Sequence, residues 1–177
     1  MNRILGAFLN FLYNDIISHI PLHLLRLNFL RLFNKNISKS AVILMHSRIL
    51  NFWKITIGDR TVINQNCLLD CRIYRIFIEH DVDIGPYTKI WTLGHDPDSP
   101  SHELYGGDVS IQHHSWIASG VTILPNIRIG KGAVVASSSV VTKNVDDLHV
   151  IGGNPAKYLK MRTNNLNYKL NFKPLFE

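Results

Sequence analysis

From Ile111 to Asp146 the apolar positions recur every six residues, and the stretch divides into six consecutive hexads: IQHHSW, IASGVT, ILPNIR, IGKGAV, VASSSV and VTKNVD. Each opens on a branched aliphatic (Ile111, Ile117, Ile123, Ile129, Val135, Val141), and each fifth place is small or β-branched, as at Ser115, Val121 and Ala133. A period of six fits neither a helix of 3.6 residues per turn nor a strand alternating every 2. It fits a coil with three short flat faces, each pointing one aliphatic inward. Fixed short repeats of this kind predict a solenoid, in which each turn buries its apolar edge against the next. Ordinary core strands would not hold phase through six units.

The same pattern extends upstream. Ile57, Ile63 and Leu69 open one turn of three hexads, and Ile78, Ile84 and Ile90 open the next. With eighteen residues to a turn, three residues bulge out around Tyr74–Arg75, and fifteen are extruded at roughly Asp96 to Ser110. The spacing therefore predicts four regular turns over 57–146, with an irregular lead-in from about Ala41 and turns stacked at about 4.8 Å. The extruded stretch is rich in Pro, Gly and Ser and has no helical period. A long loop leaving a strict solenoid is more often functional than not.

Before the solenoid, Ile4 to Phe33 is rich in Leu, Ile and Phe, but its uncharged runs are too short for a transmembrane span. No small-x-small cleavage site of a signal peptide follows it. The pattern predicts two helices parted at Pro21. In the second, Leu22, Leu25, Phe29, Leu32 and Phe33 share a face and Asn28 and Arg31 lie opposite. These helices read as a cap on the open end of the solenoid, with contact at a membrane surface as a sharper option. The aperiodic tail after Lys160 is expected to lie extended against a neighbour. The domain plan is a helical cap at 1–40, a solenoid at 41–162 carrying the loop 96–110, and a tail at 163–177.

Composition narrows the function classes. The 177 residues carry a formal charge of +6, with the basic residues gathered at the two ends. That balance suits an anionic partner, and without a basic-aromatic recognition motif no nucleic acid is expected. The two cysteines, Cys67 and Cys71, lack a second pair that would complete a zinc site and read as reduced thiols. Of nine histidines, His80, His113 and His114 fall where turns face solvent, and His19 and His23 belong to the cap. His95 differs, because Gly94 before it and Asp96-Pro97 after it set a sharp exit from the coil. An imidazole there can take a proton near neutral pH, as activation of a hydroxyl requires.

The hexads, together with WTLGHD (91–96), SWIASGVTILPN (115–126), ASSSVVTKNV (136–145) and GGNPAKYLK (152–160), resemble the hexapeptide-repeat acyltransferases. The nearest branch is that of the sugar O-acetyltransferases of capsule, exopolysaccharide and lipopolysaccharide synthesis, related to the maltose and galactoside acetyltransferases. The resemblance covers about residues 41–162. It implies a left-handed parallel β-helix, which departs from the usual right-handed crossover. It also implies a cytoplasmic homotrimer with active sites between subunits and acetyl-CoA as co-substrate; no metal is expected.

In that frame His95 matches the general base, and a backbone amide would stabilise the oxyanion. Ser119, Ser137, Thr142 and Lys143 match positions along the cofactor arm. Lys157 and Lys160 match basic positions near the CoA phosphates, where countercharge is needed. Asn64 and Asp96 fall on the acceptor side. The sequence departs from the family pattern at Ala118, Ser137 and Ser138, and at Asn126, which replaces the glycine of a Pro-Gly turn. The function implied is transfer of an acetyl group to a sugar hydroxyl. N-acetylation of an amino sugar or other small amine is the rival on the same scaffold, and a non-catalytic trimeric scaffold is the rival of another class.

Overall fold

A computed structural model describes residues 3–176. The solenoid is present as three stacked faces of parallel strands. The first face holds Ile55–Ile57, Ile76–Ile78, Val109–Ile111 and Arg128–Ile129; the third holds Arg48–Leu50, Leu68–Asp70, Lys89–Trp91, Thr122–Ile123 and Val140–Val141. Between them the second face runs from Val42–Ile43 up to His149–Gly153, and Ala156–Met161 adds to it antiparallel.

The hexad register is realised residue by residue. Ile57, Ile78, Ile111 and Ile129 stack on the first face, and Ile63, Ile84, Ile117 and Val135 on the second. Leu69, Ile90, Ile123 and Val141 stack on the third. None of the twelve is more than 1% exposed. Each such side chain contributes about 1.5–3 kcal/mol on leaving water, so the interior of the coil supplies the core.

The lead-in expected to be irregular is a further coil. Ile37, Ile43 and Ile49, six residues apart, lie beneath Ile57, Ile63 and Leu69. Its lower edge is closed by the expected helices, α1 (Arg3–Phe11) and α2 (His23–Phe33). Side chains from the cap take the place of strand partners: Asn14 accepts from the Ile49 amide at 2.7 Å and donates to its carbonyl at 3.2 Å.

The buried face of α2 meets the one the hydrophobic pattern selects only at Phe29, which packs against the core. His23, Arg26, Leu27 and Leu30 point inward, whereas Leu22, Leu25, Leu32 and Phe33 remain exposed. Arg26 is responsible. Its guanidinium donates to the carbonyls of Ile20 and Ile43, and His23 Nε2 accepts from the Ile43 amide at 3.3 Å. These polar groups satisfy backbone atoms at the open end, which leucines could not do.

The tail also differs from expectation, because it lies on its own solenoid. Arg162 donates to the carbonyls of His114 and Gly132 at 2.8 and 2.9 Å. The tail continues past Tyr168 and Leu170 to pair Phe176 with Leu22. His114, expected to face solvent, is buried beneath it. No helix among the described residues is long and apolar enough to cross a membrane.

Candidate active site

The chain leaves the third face after Thr92 and rejoins the first at Val109, which pairs with Ile76 in normal register. The extruded stretch is thus residues 93–108, and it begins three residues before the loop expected at 96–110. It is a hairpin: Leu93–His95 runs antiparallel to Leu104–Gly106, with His95 opposite Leu104. Its base is tightly packed. A Cβ on Gly106 would meet Thr92 O at 2.4 Å and the Tyr74 ring at 2.5 Å, and one on Gly107 would meet the Asn126 side chain at 2.9 Å. Asn126 itself has φ +62°, a left-handed conformation that asparagine tolerates where the family pattern has glycine.

On this hairpin His95 is exposed and held in one orientation. Its Nδ1 lies 2.9 Å from the carbonyl oxygen of His102. A carbonyl oxygen can only accept, so the neutral ring carries its hydrogen on Nδ1 and leaves the Nε2 lone pair available. The His102 ring stacks on the His95 ring at 3.8 Å and 8°, which fixes its plane. Asp96 turns back into the loop: its amide donates to Glu103 O at 2.9 Å, and its carboxylate accepts from the Asp98 amide at 3.0 Å. His102 was not singled out in the sequence, since a stacking partner across a loop leaves no periodic signal.

The remaining candidates spread over three borders of the coil. Ser119 and Ser137 are exposed at the corner between the second and third faces, one coil above the other, with the Ser138 amide donating to Ser119 O at 2.9 Å. Thr142 and Lys143 are exposed at the corner between the third and first faces, the border from which the hairpin departs two coils below. Lys157 and Lys160 sit on the terminal antiparallel strand, opposite Gly152 and Val150. The third face therefore has Ser119 and Ser137 on one side, and His95, Thr142 and Lys143 on the other. Asn64 is apart from these. It donates to Asp83 at 3.1 Å and to Ile84 O at 2.9 Å, and burial raises the Asp83 carboxyl above its usual range while that bond opposes the rise. An exposed indole, Trp116, stands on the same face beside Asp83.

A second histidine cluster is tied into the coil and the tail. His80, Asp81 and His114 bring ligand-type atoms within 4.8 Å of one another. Asp81, however, already receives Arg60 at 2.8 and 2.6 Å, His80 at 2.9 Å and the Leu170 amide at 3.0 Å. Burial alone would raise the Asp81 carboxyl, but these bonds outweigh it and hold the group well below the usual carboxylate range. The cluster is an anchor for the tail. The two cysteines are free and buried, and burial pushes the Cys67 thiol up to about 12.

Residues 108–143 match the family model described as bacterial transferase hexapeptide (six repeats). Escherichia coli (strain K12) WcaF, whose name assigns it provisionally to colanic acid biosynthesis as an acetyltransferase, is 30% identical over 139 residues, covering 75% of this chain and 72% of WcaF. The chain belongs to the hexapeptide-repeat transferase family. A maltose O-acetyltransferase from Clostridium difficile 630 superposes with TM-score 0.77 at 28% identity, covering 92% of this chain and 87% of that one. The hexapeptide-repeat acetyltransferase VCA0836 of Vibrio cholerae, solved with acetyl coenzyme A, gives TM-score 0.73 at 27% identity with the same coverages, 92% and 87%. The chain spans 53% to 62% of the length of three other curated acetyltransferases that it matches.

Proposed function

We propose that this family member transfers the acetyl group of acetyl-CoA to a hydroxyl of a saccharide, with His95 as general base. The observation that carries the reading is the His102 carbonyl on His95 Nδ1, which leaves Nε2 as the proton acceptor on a hairpin held clear of the coil. Nε2 takes the hydroxyl proton as the acceptor oxygen attacks the thioester carbonyl. When the carbon–sulfur bond breaks, the same proton passes to the leaving thiolate. Acetyl-CoA supplies the activated acyl group. Lys143, Lys157 and Lys160 are exposed and, among the described residues, make no ion pair, so they fit the countercharge that CoA phosphates need. Ser119, Ser137 and Thr142 are assigned to the cofactor arm, and Asn64 and Asp96 to the acceptor.

The coil is taken as left-handed and the assembly as a homotrimer, as family membership implies. Support for a partner comes from the hairpin, where Leu104 and Tyr105 are 57% and 53% exposed. The site is then completed by a neighbour's surface. Exposed Ile4, Leu5, Phe8 and Phe11 on α1 support peripheral contact with the cytoplasmic membrane face. The domain plan is retained as a cap, a catalytic solenoid and a tail. A saccharide precursor of a surface polymer is the favoured acceptor.

The test is release of free CoA thiol from acetyl-CoA by purified protein offered a panel of saccharides, with mass spectrometry of the acetylated product. Turnover only with amino sugars, and an amide in the product, would replace the O-acetyl reading by the N-acetyl one. Absence of any turnover would leave a scaffold. Charge reversal at both Lys157 and Lys160 should raise the Michaelis constant for acetyl-CoA about tenfold while kcat stays within a factor of about two. An unchanged constant would show that the CoA site lies elsewhere.

A further inference from the structure

A concavity of about 820 Å³ lies at the capped end, between the start of α2 and the last residues of the tail. That volume is within the range of ligand sites, roughly 300–1,000 Å³. Its walls are apolar and come from three parts of the chain: Leu24 on α2, Ala41 and Val42 on the lowest coil, and Leu170, Phe172 and Leu175 on the tail. Leu170 is also packed against Val42, Leu44 and Val62, so the tail forms a wall of the cavity and not a loose cover. His23 lines the inner side, where burial, then the neighbouring Arg26, hold its imidazole below its ordinary value. The inner wall is therefore uncharged at neutral pH.

The rim is the opposite. Lys39, Lys169 and Lys173 are exposed there, and Arg60 is committed to Asp81. Among the described residues no carboxylate lines the cavity, and none pairs with the three lysines. Outside the mouth the apolar surface continues through Leu24, Leu175 and Phe176, which are 63%, 63% and 64% exposed. A small hydrophilic anion would leave these walls wet, and a neutral chain would leave the cations without a partner. Both features are met together by a ligand with a long apolar body ending in an anion.

We propose that this cavity binds a single-chain anionic amphiphile, with its chain between α2 and the tail and its head among Lys39, Lys169 and Lys173. The lysine stems extend the apolar wall while their ammonium groups reach the head. None of these residues belongs to the hairpin or to the positions assigned to CoA. The site is thus independent of the acetyl-transfer reading and could stand if that reading failed.

The experiment uses the full chain and the fluorescence of cis-parinaric acid, an eighteen-carbon carboxylate, with its methyl ester as the uncharged control. The acid is expected to bind saturably at one per chain, and the ester at least about tenfold more weakly, because the charged rim discriminates between them. The triple variant K39E/K169E/K173E should lose about tenfold or more for the acid and little for the ester. Leu24→Asp, at an exposed position, should weaken both, with thermal unfolding unchanged. Equal binding of acid and ester, or acid binding untouched by both variants, would overturn the proposal. So would failure to take up parinarate together with a changed oligomeric state in these variants, which would assign the cavity to a second copy of the chain.

Discussion

Two groups of histidines project from one coil and come to opposite ends. His95 and His102 ride on a hairpin that stands off the surface, and only one ring nitrogen of His95 is engaged. His114 lies beneath the tail with both nitrogens engaged, Nδ1 toward His113 at 2.9 Å and Nε2 toward Tyr168 O at 2.9 Å. The residue type is the same, and what differs is how the neighbouring segment meets the coil. A segment that lies down consumes hydrogen-bonding capacity and yields stability. One that rises on a rigid base orients a ring and leaves a lone pair for chemistry.

The largest effect should come from His95. His95→Ala is expected to lower kcat/KM by roughly 10²–10⁴-fold, with acetyl-CoA binding retained and, the residue being exposed, stability changed by no more than about 0.5 kcal/mol. Near-full activity would end its assignment as base. The anchor cluster should respond in the other coordinate. Asp81→Asn is expected to cost about 1–2 kcal/mol, because it weakens the charge-assisted bonds from Arg60, itself a third exposed and so able to turn to water, while kcat is preserved. The folded-state pKa of Asp81 is depressed, so its contribution is present above the unfolded value of about 3.9 and fades as pH falls below it. Denaturant melts of wild type and variant should therefore differ at pH 7, and the gap should narrow progressively as pH falls below about 4 toward the depressed folded-state value. A gap that does not narrow on acidification would mean that the ion pair is not its origin.

The smallest effect sharpens the contrast most. His102→Asn keeps the carbonyl that holds His95 and a residue type that tolerates φ +54°, but removes the stacked ring. Activity should fall by less than about tenfold, the scale of a small loss in positioning. A loss as deep as that of His95→Ala would make the second imidazole part of the chemistry.

The sequence revealed the coil well because its period is local. Every inward position from Ile57 to Val141 can be counted, and the pairing of Ile111 with Ile78 keeps that count in phase across the extruded stretch. What counting could not supply was long-range. The tail's contact with His114 joins residues 54 apart in sequence and leaves no periodic trace. The orientation of α2 went wrong because hydrophobic patterning treats arginine as outward, whereas Arg26 is drawn in by carbonyls at the open end. The hairpin's frame was misplaced by three residues because its own strand pairing, Leu93–His95 with Leu104–Gly106, is independent of the hexad count. His95 was legible as a candidate from its Gly and Pro neighbours, but the carbonyl that selects its tautomer was not.

A stack of in-register parallel strands is, at each open end, a template on which another chain could grow. Here both ends carry stoppers. At the bottom, Asn14 occupies the amide and carbonyl of Ile49 and Arg26 the carbonyl of Ile43, so the hydrogen bonds an incoming strand would need are already used. At the top of the second face, Ala156–Met161 runs antiparallel to His149–Gly153 and shows solvent a strand carrying Lys157 and Lys160, which repels its like. The same lysines that are assigned to hold CoA therefore also keep a fibre-like architecture finite.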